Sequence, residues 1–371
     1  MKHFVIDVVR VWRNEFKIVS HDIGAMVFLF LLPLAYPLVY SAIYNPELAR
    51  DIAIVVVDDN RTSQSREYTR SLDATQELNV IGYAADMEEA RRAMAEKRCY
   101  AIVHIPQQFS HDIARHQTAT ISTYCDMSLL MRYKSVLVAV TSVALNYGEK
   151  GNENTPVQSM MIPIGNVSQG IASALMPGVL VLIIQQCILL AISIVGATSR
   201  SDRVLASPLA NIWGKALCYF VLMIVPTIFV LNFVPIIFSF PMEGKALDVA
   251  ILAVPYLLSV IFFSMLVQRI VPDRESIFIV VVFTSVAFVF LSGVSWPRYA
   301  MSNFWQMVGN CVPSTWAING YVAINTAGAT LLMQKEAYSA LWILALVYFM
   351  LAWLLELRKR KEGKNKAPII N

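Results

Sequence analysis

Residues 171–195 read IASALMPGVLVLIIQQCILLAISIV, an apolar run without a single Asp, Glu, Lys or Arg. A helix crosses the hydrocarbon core of a bilayer with about 20 predominantly apolar residues, so this stretch is long enough to span one. Five more stretches qualify, at 23–44, 216–240, 249–267, 277–295 and 340–355. Prolines lie inside these runs (Pro33, Pro37, Pro177, Pro226, Pro235 and Pro255). Membrane helices tolerate them because neighbouring groups bond the freed backbone. The chain of 371 residues is 57% hydrophobic and 15% charged, whereas soluble domains carry about 25% charged residues. Its charges are dense at 45–153 and sparse at 171–356, which describes a polar block set into a helical membrane protein. A net charge of +4 gives no case for a nucleic-acid partner.

Orientation follows from Lys and Arg beside the spans, which favour the cytoplasmic side. Lys2, Arg10, Arg13 and Lys17 precede the first span; Arg200, Arg203 and Lys215 lie between the second and third. Arg269 and Arg274 join the fourth to the fifth, and Arg358, Lys359, Arg360, Lys361, Lys364 and Lys366 follow the sixth. The opposite short loops hold only Lys245, Arg298 and Lys335, so fifteen bases stand against three. Both termini are expected in the cytoplasm and the 45–165 block outside a bacterial inner membrane. The first apolar run exceeds the 7–15 residues of a signal-peptide core and reads as an uncut anchor.

Within the polar block, Ile52-Ala53-Ile54-Val55-Val56-Val57 reads as a strand ended by Asp58-Asp59-Asn60. Strands are also expected at 78–83, 100–105 and 118–124, with helices at 63–72, 86–97 and 129–147. Asp86 serves as a helix cap, ahead of Glu88 and Glu89 in the first turn. The alternation implies a small α/β domain. Asp58-Asp59 suits either a strand-end cap or a cation site. His104, His111 and His116 lack metal-ligand spacing, and no catalytic motif appears. The five cysteines form no CxxC pair, while Cys99 and Cys125 could be free thiols or a disulfide.

The span interiors offer no ionisable group of the kind that ion-coupled carriers use. Gln185, Gln186 and Asn232 read either as a polar substrate path or as helix–helix hydrogen bonding. Gly214-Lys215 and Gly244-Lys245 lack the rest of a phosphate-binding loop, so the work stroke is expected from a separate ATPase. Two segments could receive it. Residues 4–19 set Phe4, Val8, Trp12, Phe16 and Val19 along one stripe of an interfacial amphipathic helix, in contact with membrane lipid. The loop 196–214, with 198–208 at its centre, forms the other. Beyond the fifth span, region 296–330 is apolar yet broken by Asn310, Pro313 and Gly320, a pattern for re-entrant helices.

The order of parts resembles the ABC-2-type permeases, in the branch with a large external domain after the first span. The resemblance rests on Glu15-Phe16 with Asp22, on Val57-Asp58-Asp59-Asn60 and on Ile105-Pro106-Gln107-Gln108-Phe109-Ser110. Met176-Pro177-Gly178, Ser207-Pro208, Ser292-Gly293 through Pro297, and Val312-Pro313-Ser314-Thr315 complete it. One departure is Arg200-Ser201-Asp202-Arg203, where the family's loop has a Glu and a Gly-Thr. The resemblance implies six transmembrane helices with re-entrant helices before the last and an inserted extracytoplasmic α/β domain. By number, this divides the chain into 1–22 (amphipathic helix), 23–44 (first span), 45–165 (external domain), 166–357 (five-helix domain) and 358–371 (basic tail).

As partners it implies two cytoplasmic ATPase subunits that bind ATP and Mg, a second permease copy (identical or sister), and an external adaptor. This chain itself would hold no cofactor and catalyse nothing. Contacts with the ATPase would fall at Glu15, Phe16, Arg200, Asp202 and Arg203. A substrate path or re-entrant region would involve Gln185, Gln186, Asn232, Trp296, Pro297, Pro313 and Thr315. Function is then export of an amphiphilic or envelope-related substrate; the alternative is an envelope scaffold or receptor displaying the external domain.

Overall fold

The computed structural model describes residues 2–44, 50–115, 117, 119–125, 130–150, 171–198, 207–240, 242–271 and 273–365. Two compact units emerge: Pro46–Pro163, and a second made of Met1–Asn45 with Ile164–Asn371.

The larger unit is helical. Six helices are long and apolar enough to cross a membrane: spans one (Ile23–Ile43), two (Leu175–Thr198), three (Pro208–Ile237), four (Ala246–Ile270), five (Arg274–Leu291) and six (Lys335–Arg358). Span two is the hub, 89% buried, whereas spans one and five are only 22% and 17% buried and turn broad apolar faces outward. Span three starts two turns ahead of the apolar run. The Ser207 side chain accepts from the Ala210 N–H, and Pro208 occupies the first turn, where its missing N–H costs nothing. Lys215 therefore sits inside the helix.

Two spans widen into a π turn just ahead of a proline: Val27–Leu31 before Pro33, and Phe229–Phe233 before Pro235. Proline cannot donate to the carbonyl four residues back, and its ring crowds that carbonyl. In span three the stranded acceptor is the Leu231 carbonyl, and the buried Tyr321 hydroxyl donates to it at 2.7 Å. Tyr321→Phe should lower thermal stability by about 1–2 kcal/mol, since a buried acceptor loses its donor. A melt of the purified variant checks this.

Between spans five and six lie two short helices, Asn303–Asn310 and Pro313–Asn325. Pro313 begins the second, as expected of a break. Gly320 does not interrupt it; a Cβ there would lie 3.0 Å from Leu252 and 3.4 Å from Ala337, so the glycine permits close packing.

The bundle covers only part of the expected stripe on the N-terminal helix, Lys2–His21. Val11, Glu15 and Val19 are buried, while Phe4 and Phe16 are 41% and 42% exposed. The reason is shape: the Val11 side chain and the Val8 carbonyl lie against Gly214, whose missing side chain lets the two helices approach.

The smaller unit is a four-stranded sheet, β1 (Ile52–Asp58), β2 (Leu78–Tyr83), β3 (Ala101–Ile105) and β4 (Ser122–Cys125), in the order β2-β1-β3-β4. β1 runs parallel to β2 and β3, and β4 is antiparallel. Tyr68, Leu72, Phe109, Val136 and Ala139 cover one face, Ala90 and Ala93 the other. Cys99 packs on the second face and Cys125 on the first, and both are free thiols. Burial raises the Tyr68 hydroxyl to about 12 and pushes the Cys99 thiol up as well.

Candidate functional site

The chemistry of the larger unit collects at one end of its helices. Glu15, on the inner face of the N-terminal helix, is 3% exposed. Its carboxylate lies 3.2 Å from Lys215 Nζ and accepts from the Tyr219 hydroxyl at 3.1 Å. Asn211, Lys215 and Tyr219 are four residues apart, one stripe along the start of span three. At the head of that stripe, Asn211 Nδ2 donates to Glu356 Oε1 at 3.2 Å, and Glu356 is ion-paired with Arg269. One helix face thus bridges the N-terminal helix to the ends of spans four and six. A cavity of about 30 Å³ lies between the groups, lined by Glu15, Asn211, Lys215, Tyr219, Gln268 and Arg269. That is room for water beside polar partners.

A second tie holds the elbow between the N-terminal helix and span one. Asp22 accepts from the Ala25 N–H at 3.1 Å and lies 3.7 Å from Arg274. The Thr198 hydroxyl, at the end of span two, donates to it at 3.5 Å. The loop following Thr198 leads directly into Ser207 and the polar stripe. Only the carboxylates of these pairs are buried, and leaving a buried carboxylate without its partner is costly, so each pair holds its helices together.

The sequence-derived residues are placed as follows. Glu15 points inward onto span three, and Phe16 remains half exposed. Arg200, Asp202 and Arg203 lie outside the described residues, as does His116. Gln185 Oε1 accepts the Ser314 N–H at 2.9 Å, capping the first turn of Pro313–Asn325. The helix–helix role of Gln185 is thus visible directly. Pro313 and Thr315 are buried in the same turn. Both amide atoms of Gln186 are buried without a partner among the described residues. Asn232 Nδ2 donates to Ile228 within its own helix at 3.3 Å. Trp296 is 54% exposed and Pro297 lies beside it at the surface.

Sequence reading missed Lys215, Tyr219, Asn211, Arg269, Glu356 and Arg274 as a group. The available signal was the four-residue spacing after Ser207-Pro208, together with opposite charges at span ends. Both Gly-Lys pairs prove to be packing devices. Gly214 admits Val8 and Val11, while a Cβ on Gly244 would collide with the Ile324 backbone.

In the smaller unit the Asp58 question resolves as a cap. Asp58 Oδ1 accepts from the Asn60 and Arg61 N–H groups at 3.0 and 2.9 Å, and its Oδ2 accepts from the Ser65 hydroxyl at 2.7 Å. A carboxylate of the chain itself thus stands at the N-terminus of helix Ser63–Asp73, where a phosphate would otherwise be favoured. Strand order reverses between β1 and β3, the usual ligand crevice of such sheets. Here Asn60 bonds Gln107, the Thr62 and Ser110 hydroxyls pair at 2.6 Å, and Asp59 pairs with His104 at 2.9 Å. The chain's own side chains fill the crevice. Among the described residues no cluster of His, Cys, Asp and Glu is fit for a metal ion. Asp58→Ala should destabilise this unit by about 2 kcal/mol, from lost capping and orphaned donors. Melting of the variant would show it.

The fold and these ties define a multi-pass membrane protein whose N-terminal helix is locked to its bundle by buried charge. The family model described as ABC-2 family transporter protein matches residues 24–354, and the chain belongs to that family. It is the permease subunit of an ABC transporter, a transmembrane subunit that associates with an ATPase. No curated protein matches it.

Proposed function

We propose that this permease exports an amphiphilic or envelope-related substrate from the cytoplasm or inner leaflet. ATP and Mg are bound by two partner ATPases, whose closure pushes the N-terminal helix and the 196–214 loop. The observation carrying this reading is the burial of Glu15 against both Lys215 and Tyr219, immediately downstream of that loop. Through it a push on either segment moves both. Arg200, Asp202, Arg203 and Phe16 then meet the ATPase, whereas Glu15 acts from inside.

A second copy, identical or sister, packs on the unit, consistent with the outward apolar faces of spans one and five. The two short helices before span six re-enter the membrane from the outside, with Gln185 holding the N-terminus of the second. The α/β unit lies outside a bacterial inner membrane and meets substrate or an adaptor protein; both termini are cytoplasmic. The positive-inside pattern supports this arrangement. The test is isolation of the chain from its native membrane. An ATPase subunit should co-purify, and transport should stop on ATP depletion. Isolation without an ATPase, with transport indifferent to ATP, refutes the reading.

A further inference from the structure

The N-terminal helix has a second apolar side that the bundle does not use. Val5, Val9 and Phe16 share one flank and are 58%, 54% and 42% exposed. A single residue, Asp22, separates this helix from the start of span one at Ile23. That short tether keeps the helix at the level of the membrane surface. Trp12 stacks on Phe16 with ring centroids 5.7 Å apart, and its indole N–H is buried with no protein partner among the described residues.

Charge completes the picture. Arg13 and Lys17, one turn apart and beside the flank, are exposed and form no ion pair among the described residues. The helix's acids are withdrawn: Glu15 faces inward onto Lys215, and Asp7 lies 3.6 Å from Arg10. The outer surface is therefore apolar with an uncompensated basic border, the complement of an anionic leaflet.

We propose that this flank docks anionic phospholipid headgroups of the adjoining leaflet, and that the bound lipid is an effector of the transporter. Glu15 sits between Trp12 and Phe16 in sequence, about 100° around the helix from Phe16. The helix cannot roll to loosen Glu15 from Lys215 without pulling the flank out of the lipid. Anionic headgroups on Arg13 and Lys17 thus hold the helix in its docked position. The inference rests on the permease reading for its effect on turnover, but lipid contact is measured independently.

The experiment places a photoreactive benzoylphenylalanine at position 9 of the full chain, held with its ATPase in nanodiscs of phosphatidylcholine with phosphatidylglycerol. Lipid adducts are identified by mass. Phosphatidylglycerol should be enriched up to about thirty-fold over its share of the bilayer, the scale of two basic side chains at a charged surface. The combination Arg13→Gln with Lys17→Gln should abolish the enrichment while leaving the melting temperature unchanged, and added inorganic phosphate should not compete. ATP turnover should rise with phosphatidylglycerol in the parent and not in the double variant. Adducts in bulk proportion, or adducts to the ATPase chain, overturn the docking surface. Enrichment without any effect on turnover overturns the effector role. Failure of the ATPase to co-purify would instead count against the permease reading, with the lipid adducts still interpretable.

Discussion

Glu15→Ala is expected to be among the most damaging single changes in the larger unit. The variant leaves Lys215, whose side chain is 31% exposed, without its carboxylate and removes the acceptor of the Tyr219 hydroxyl. Stripping one member from a fully buried pair costs about 3–5 kcal/mol; partial access of Lys215 to solvent brings the expected loss to about 2 kcal/mol. Tyr219→Phe removes one hydrogen bond and should cost about 1 kcal/mol. Exchange of the two charges, Glu15→Lys with Lys215→Glu, should recover part of the stability and of ATP-driven transport. A stabilising effect of Glu15→Ala, or a charge exchange no better than either single change, would show that the pair is not the tie. Thermal melts and ATP turnover by the assembled complex read the outcome.

Gly214→Leu should act at the same junction through volume rather than charge. Even a Cβ at Gly214 would lie 2.6 Å from Val11 Cβ and 2.8 Å from the Val8 carbonyl oxygen, and the latter is backbone that cannot rotate away. The N-terminal helix must lift from span three, which separates Glu15 from Lys215. Overpacking of this kind costs about 1–3 kcal/mol, to which the lost pair adds. Gly214→Ala should show the smaller end of that range. Coupled turnover is expected to fall steeply in the Leu variant, while the α/β unit retains its own unfolding transition. Normal coupling in Gly214→Leu would mean the close approach has no mechanical part.

The spans were legible because runs such as 171–195 have only one stable home. The strands of the smaller unit were legible for a related reason: Ile52 to Val57 is a β-branched run closed by acidic turn residues. What stayed hidden depended on partners far away in sequence. Glu15 and Lys215 are 200 residues apart, and no local pattern pairs them. Lys215 also interrupts the apolar window, which moved the expected start of span three past Ser207 and Pro208. The stripe through Phe4 and Phe16 was legible from hydrophobicity, whereas the docked face through Val11 and Glu15 was not, because the small residue opposite, Gly214, selects it. Gln185 could be read as either path or packing until Ser314 was found at its oxygen. Asp58 was likewise ambiguous until its three donors were in view.

The most direct measurement is a pair of pulsed electron-resonance distances on the permease–ATPase complex. One pair of labels sits at Val9 and Leu217, on the outer sides of the N-terminal helix and span three; the other joins Leu217 to Val282 on span five. Between the nucleotide-free and ATP-trapped states, the first distance should keep one narrow distribution while the second shifts. A first distance that changes with nucleotide would mean the helix swings free of span three, contradicting transmission through the Glu15–Lys215 tie.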